Sequence, residues 1–216
     1  MLTPPETYPE IYQKLLKEAE TIDNVPLKNV VIEALTENKR ELFLVPGGGG
    51  HHRCVGGLLW HTYDVLRLVK GALQVYPDLN HDLLISAAVL HDIGKCFSSV
   101  LEEDGTFRKW TDEEMFKGHL YLGSTYISKL CEKHNVDPQT SLLLEHMILS
   151  HHGKPEWGAI RRPMTREAFV LHQCDAFDTG MFIFQEAYSE TAEGEFSEKE
   201  VWGSRVFKEG LRGNSA

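Results

Sequence analysis

Ala87-Ala88-Val89-Leu90-His91-Asp92-Ile93-Gly94-Lys95 decides how this chain is read. An apolar run with helical spacing brings an imidazole and a carboxylate together at its end, beside Gly94, a residue type that commonly stops a helix. Two side chains of metal-binding type therefore stand where a buried helix finishes. A carboxylate out of water is costly unless it is paired, hydrogen-bonded or bound to a cation, so Asp92 requires a compensating group.

Working outward, helical periodicity dominates in both directions. Apolar positions 11, 12, 15, 16 and 19 predict a helix over 8 to 21, and Pro26 opens a second one running to about Leu44. A glycine-rich loop, Pro46 to Arg53, follows; no Gly-Lys-Ser/Thr comes after it, so it is not a phosphate loop. Further helices are expected over 57–74, 81–93, 118–134, 142–150 and 165–188, the last capped by Thr165. Residues 97 to 113 are polar, and Asp104-Gly105 predicts the tip of a small hairpin or flap. The fold class is all-α, a bundle of roughly eight helices. Residues 1–45 read as a helical scaffold on the same domain, 46–190 as the functional core, and 191–216 as a polar tail with a docking patch at Val201-Trp202 and Val206-Phe207.

With 216 residues, 42% hydrophobic and 25% charged, the chain suits one globular domain and excludes wholesale disorder. The formal net charge of −10 opposes gripping a polyanion through the whole surface. No stretch has signal-peptide or membrane-span character, and four scattered cysteines form no C-x-x-C pair, so a cytoplasmic protein with reduced thiols and no membrane partner is expected.

His61, His91-Asp92, His119, His151-His152 and Asp175 each fall near a helix end or within an apolar helix. Imidazoles and carboxylates suit Zn, Mn, Fe, Co or Ni, and one carboxylate can bridge two ions. His172 lies three residues before Asp175 on the same helix face and is expected to support it. Lys154, Arg161 and Arg162 follow His152 in a loop and offer a cationic rim for phosphate. His81-Asp82 lacks the following Gly-Lys and reads as a helix-start feature, while His134 and His146 read as structural.

In this order the blocks resemble one known family. His51-His52-Arg53 with Gly56-Gly57-Leu58-Leu59-Trp60-His61-Thr62, then Leu90-His91-Asp92-Ile93-Gly94-Lys95, Gly118-His119, Ser150-His151-His152-Gly153 with Glu156-Trp157-Gly158, and Leu171-His172 leading to Asp175 and Asp178 resemble the HD superfamily of metal-dependent phosphohydrolases. Within it they resemble the HD domain of the YhaM-type 3′-to-5′ exoribonucleases. The resemblance implies that His61, His91, Asp92 and Asp175 hold one divalent ion, and that Asp92 bridges to a second held by His119 and His151. His152 would be a further ligand or a supporting group, and Asp178 a supporting group. Two ions about 3.5 to 4 Å apart would activate water for attack on phosphorus. They would be Mn, Fe, Ni, Co or Zn, with Mg also admissible. Asp92 and Lys95 would be the catalytic pair, with Lys95 facing the phosphate or anchoring the carboxylate. His51, His52 and Arg53, matching the family block, would bind substrate.

The chain departs from that pattern at Trp60, where the exonucleases usually carry Glu, and residues 1–45 read as helices where they usually carry an OB-type domain. Gly57 offers no carboxylate four residues before His61, so a third ion is not expected. The expected substrate is a phosphate ester of a nucleotide or short oligonucleotide. Alternatives are a 3′-to-5′ exonuclease on single strands, or a non-catalytic metal- or nucleotide-binding module. Nothing in the sequence fixes the oligomeric state.

Overall fold

The computed structural model describes residues 2–102 and 106–210, and within them ten α-helices and two small antiparallel hairpins form the expected all-α domain. The helices are α1 (Tyr8–Ala19), α2 (Val25–Glu37), α3 (Lys39–Leu44), α4 (Gly57–Val75), α5 (His81–Leu90), the single turn α6 (Lys95–Ser98), α7 (Asp112–Lys117), α8 (His119–Lys133), α9 (Pro138–Ser150) and α10 (Arg166–Glu190). β1 (Ser99–Leu101) pairs with β2 (Phe107–Trp110), and β3 (Phe196–Val201) with β4 (Ser204–Phe207). No helix among the described residues is long and apolar enough to cross a membrane.

The fold is centred on α5. All of Leu83 to Leu90 are buried, so this helix is apolar all round and takes the middle of the core. It packs against α1, α2, α4, α9 and α10, and Leu84, Ile85 and Leu90 are sealed from solvent. Its start is fixed by Asn80, whose side chain accepts the Leu83 N–H at 3.0 Å. In its first turn Asp82 accepts the backbone N–H groups of Asp23 and Asn24 at 3.1 and 2.8 Å, tying the entrance of α2 to α5. The second His-Asp pair is thus structural, as its position predicts.

Four features differ from the periodicity. The helix expected over 26–44 breaks at Asn38, whose side-chain amide donates to the Ala34 carbonyl and the Tyr126 hydroxyl and competes with helical pairing. The helix expected to reach 93 stops at Leu90, and Gly94 does not end it by a left-handed turn: its φ and ψ are −58° and −25°. Gly94 is instead a contact point, because a Cβ there would lie 2.0 Å from the His119 carbonyl oxygen. Third, α7 appears in the polar stretch; Thr111 caps it by accepting the Glu114 N–H at 3.1 Å. The hairpin β1–β2 lies where a flap is expected, with Asp104-Gly105 outside the described residues.

The fourth difference is the tail, which is a hairpin docked on α10 through the buried Val201 and Val206. Its two-residue turn is Trp202-Gly203, both at positive φ (52° and 80°). Asn, Asp and Gly are the usual residues there, and a bulky side chain in that conformation costs on the order of 1–3 kcal/mol.

Candidate metal centre

Five segments meet around Asp92. His61 comes from the first turns of α4, His91 and Asp92 directly follow α5, His119 opens α8, His151 and His152 directly follow α9, and Asp175 lies midway along α10. Asp92 Oδ1 is 3.4 Å from His119 Nε2 and 3.5 Å from His151 Nε2, while Oδ2 is 3.5 Å from His91 Nε2 and 3.6 Å from His61 Nε2. The donors fall into two groups that share Asp92: His61 and His91 on one side, His119, His151 and His152 on the other. Asp175 Oδ1 joins the first group at 3.2 Å from His61 Nε2.

Every one of these imidazoles is held from outside by its Nδ1–H. His91 donates to the Ala88 carbonyl (2.9 Å), His151 to the Ile148 carbonyl (2.8 Å) and His152 to the Trp157 carbonyl (2.8 Å). His61 donates to Asp178 at 2.6 Å and His119 to Glu114 at 3.1 Å. A carbonyl or carboxylate partner holds each ring by Nδ1, so five Nε2 atoms face inward, the orientation a metal-ligating histidine requires.

The centre fits a divalent cation on its own evidence. Asp92 Oδ1, His119 Nε2 and His151 Nε2 are buried and have no hydrogen-bond partner, although buried polar atoms are rarely left so. Burial opposes charge on His61, yet hydrogen bonds to Asp175 and Asp178 override it and push its pKa up to about 10. Asp92 and Asp175 are held well below the usual carboxylate range despite burial, Asp92 by Lys95 and the surrounding imidazoles and Asp175 chiefly by His61. Burial, with neighbouring imidazoles, pushes His152 down to about 3, which keeps it a neutral donor. The pocket floor thus keeps two carboxylates ionised among inward-facing imidazoles and favours positive charge.

Lys95 supplies part of that charge. Its ammonium, 6% exposed, sits 2.5 Å from Asp92 Oδ2 and also bonds the Gly47 carbonyl, which ties the glycine-rich loop to the His-Asp turn. A cavity of about 640 Å³ opens above the centre, lined by His51, Asp92, Lys95, His152, Asp175 and the wall residues described below.

The remaining sequence candidates divide. His51 and His52 lie against His61, with ring centroids 4.7 and 5.4 Å away, and burial above all pushes each down to about 2. Arg53 turns outward to Glu186 at 3.1 Å and is not in the cavity lining. Lys154 lies over the Trp157 ring, 4.5 Å from its centroid, whereas Arg161 and Arg162 are exposed and line no part of the cavity. His172 donates to the His151 carbonyl at 2.8 Å and so holds the turn that carries two imidazoles rather than Asp175.

Glu114 is missing from the sequence candidates. It accepts from His119 and, at 2.6 Å, from the Ser98 hydroxyl. Its one signal is Thr111-x-x-Glu114, a helix-start pattern ahead of a segment with no apolar period. Glu114→Ala is expected to weaken divalent-metal binding about 10–100-fold, read by competition against a metal-sensitive dye.

The comparisons with known proteins agree with this geometry. Residues 58–180 match the HD domain. The chain is 33% identical to the 3′-5′ exoribonuclease YhaM of Listeria innocua, over 92% of this chain and 63% of that protein. It is 32% identical to the YhaM of Geobacillus sp. over 91% and 60%, and 39% identical to that of Bacillus licheniformis over 69% and 46%. The chain therefore spans less than two thirds of the length of these relatives. No solved structure matches it. The ordered His/Asp blocks, their convergence on Asp92 and the match over 58–180 together place the chain in the HD-domain superfamily of metal-dependent phosphohydrolases.

Proposed function

We propose that this chain hydrolyses the terminal phosphodiester of a short single-stranded oligonucleotide, releasing nucleotides from the 3′ end. The observation that carries the reading is Asp92, whose two oxygens each face two inward imidazole nitrogens. We assign His61, His91, Asp92 and Asp175 to one divalent ion, and Asp92, His119, His151 and His152 to a second. Bound cations of this kind lower the pKa of an attacking water and neutralise the phosphoryl oxygens that gain charge in the transition state. Lys95 fixes the orientation of Asp92 and presents a positive charge to the cavity, where a phosphate oxygen reaches it. His51 and His52, neutral and packed against His61, form the wall that excludes water from that side. The choice of nucleic acid follows the printed activity of the relatives. The preference for short strands follows from the charge of −10 and a lining in which, among the described residues, Lys95 is the one Lys or Arg. The four free cysteines suit a reducing, cytoplasmic setting.

The test is product formation from one panel: nucleoside mono- and triphosphates, cyclic dinucleotides, and short RNA and DNA labelled at the 5′ end, with Mn²⁺-loaded protein. Stepwise shortening of the labelled strands from the 3′ end is the expected result, with a salt slope of about −1 or shallower. Turnover of mononucleotides alone would move the reading to a nucleotide phosphatase. No turnover in protein shown by elemental analysis to carry metal would leave a nucleotide-binding module.

A further inference from the structure

Two tryptophans from distant segments line the same cavity: Trp157, in the 3-10 turn Pro155–Trp157, and Trp202, at the tip of the β3–β4 hairpin. Both indoles are largely exposed, at 56% and 70%. Trp202 occupies a turn position that favours Asn, Asp or Gly, so local conformational preference does not account for it. Anchoring the hairpin does not require it either, because Val201 and Val206 are the buried residues there and most of the indole surface stays exposed although the ring lies against α10.

The body of the protein is shaped to receive this ring. A Cβ on Gly180 of α10 would lie 2.4 Å from the Trp202 ring, so any larger residue would displace it. Phe184, one turn further, meets it edge-on at 5.6 Å between centroids. Gly180 stands five residues beyond Asp175, which places the indole beside the helix that supplies a metal donor. Trp157 is coupled to the same centre, since its carbonyl accepts the His152 Nδ1–H.

We propose that the β3–β4 hairpin is part of the substrate site, and that Trp202 stacks on the nucleobase of the substrate's terminal nucleotide, with Trp157 as the facing wall. The inference rests on the nucleotide reading above and adds what recognises the base. An exposed indole in a cavity whose floor takes phosphate matches a ligand with a flat π-surface at one end and an anion at the other, and stacking of this kind tolerates every base. The cavity, about 640 Å³, is within the range of sites that enclose a small ligand.

The experiment compares two short oligonucleotides, one intact and one with an abasic 3′-terminal residue, in wild type, Trp202→Ala and Trp202→Phe. KM is read by turnover, and the dissociation constant of adenosine monophosphate is read separately by calorimetry. Wild type is expected to prefer the intact strand by ~10-fold or more in KM. In Trp202→Ala that ratio falls to about 1 and mononucleotide affinity drops by ~10-fold, while Trp202→Phe restores most of both. The same ratio in wild type and Trp202→Ala overturns this inference and leaves the proposed function standing. Equal weakening of intact and abasic strands also overturns it, by showing that Trp202 only props the hairpin. If wild type neither binds nor cleaves any of these ligands, the proposed function fails and this inference with it.

Discussion

Asp92→Ala is expected to reduce turnover of any accepted ester by ~10³-fold or more and to strip divalent metal from the centre. The size follows from position: both oxygens of one carboxylate are shared among four imidazoles, and the same group neutralises the Lys95 ammonium. Its loss removes the group common to both halves of the centre and leaves the buried Lys95 ammonium without its carboxylate partner. Turnover, metal content by elemental analysis and a circular dichroism check of folding are measured together. Asp82→Ala is the internal control, because it too follows a histidine but only holds the start of α2. It is expected to keep turnover within about 2-fold and to cost ~1 kcal/mol of stability. Asp92→Ala protein that retains both metal and turnover would remove Asp92 from the site.

Gly94→Ala is expected to impair both stability and activity through a single added methyl group. The added Cβ would stand 2.0 Å from the His119 carbonyl oxygen and 2.7 Å from the Gly123 nitrogen, both backbone atoms that no rotamer change can move. Forced overpacking of this kind costs ~1–3 kcal/mol, which for a chain of this size lowers Tm by roughly 2–12 °C. The displaced segment carries His119, so activity should fall by ~10²-fold. Gly71, on α4 with nothing within 4 Å of its ideal Cβ, gives the contrast: Gly71→Ala should be neutral or stabilising by up to ~1 kcal/mol. A Gly94→Ala variant as stable and as active as wild type would show that the close approach does not constrain the site.

The all-α class, the helices carrying His61, His119 and Asp175 and the one that ends just before His151 were legible because amphipathic period and cap residues are local properties. So was the order of the blocks, since its spacing survives without any knowledge of packing. What the sequence could not give was depth. Arg53 matches a family block, yet Glu186, 133 residues away, draws it outward. His172 sits at the right spacing to support Asp175, but the distance that matters is to the His151 carbonyl on another element. Asn38 and the Gly94 contact are likewise set by groups far along the chain, Tyr126 and His119. Trp202 was read as part of a docking patch, but its place at a hairpin turn had no local signal, because a tryptophan at positive φ contradicts the propensity by which turns are read.

His91 and His151 each occupy the position just past the last residue of a long helix, α5 and α9. Two helix C-termini therefore point at one spot, and each carries the equivalent of about half a negative charge from its aligned peptide dipoles. Backbone dipoles and carboxylates therefore act in the same sense on whatever occupies that spot, and both favour positive charge. The backbone of the fold thus adds to the pull on a cation beyond what the side chains around Asp92 supply.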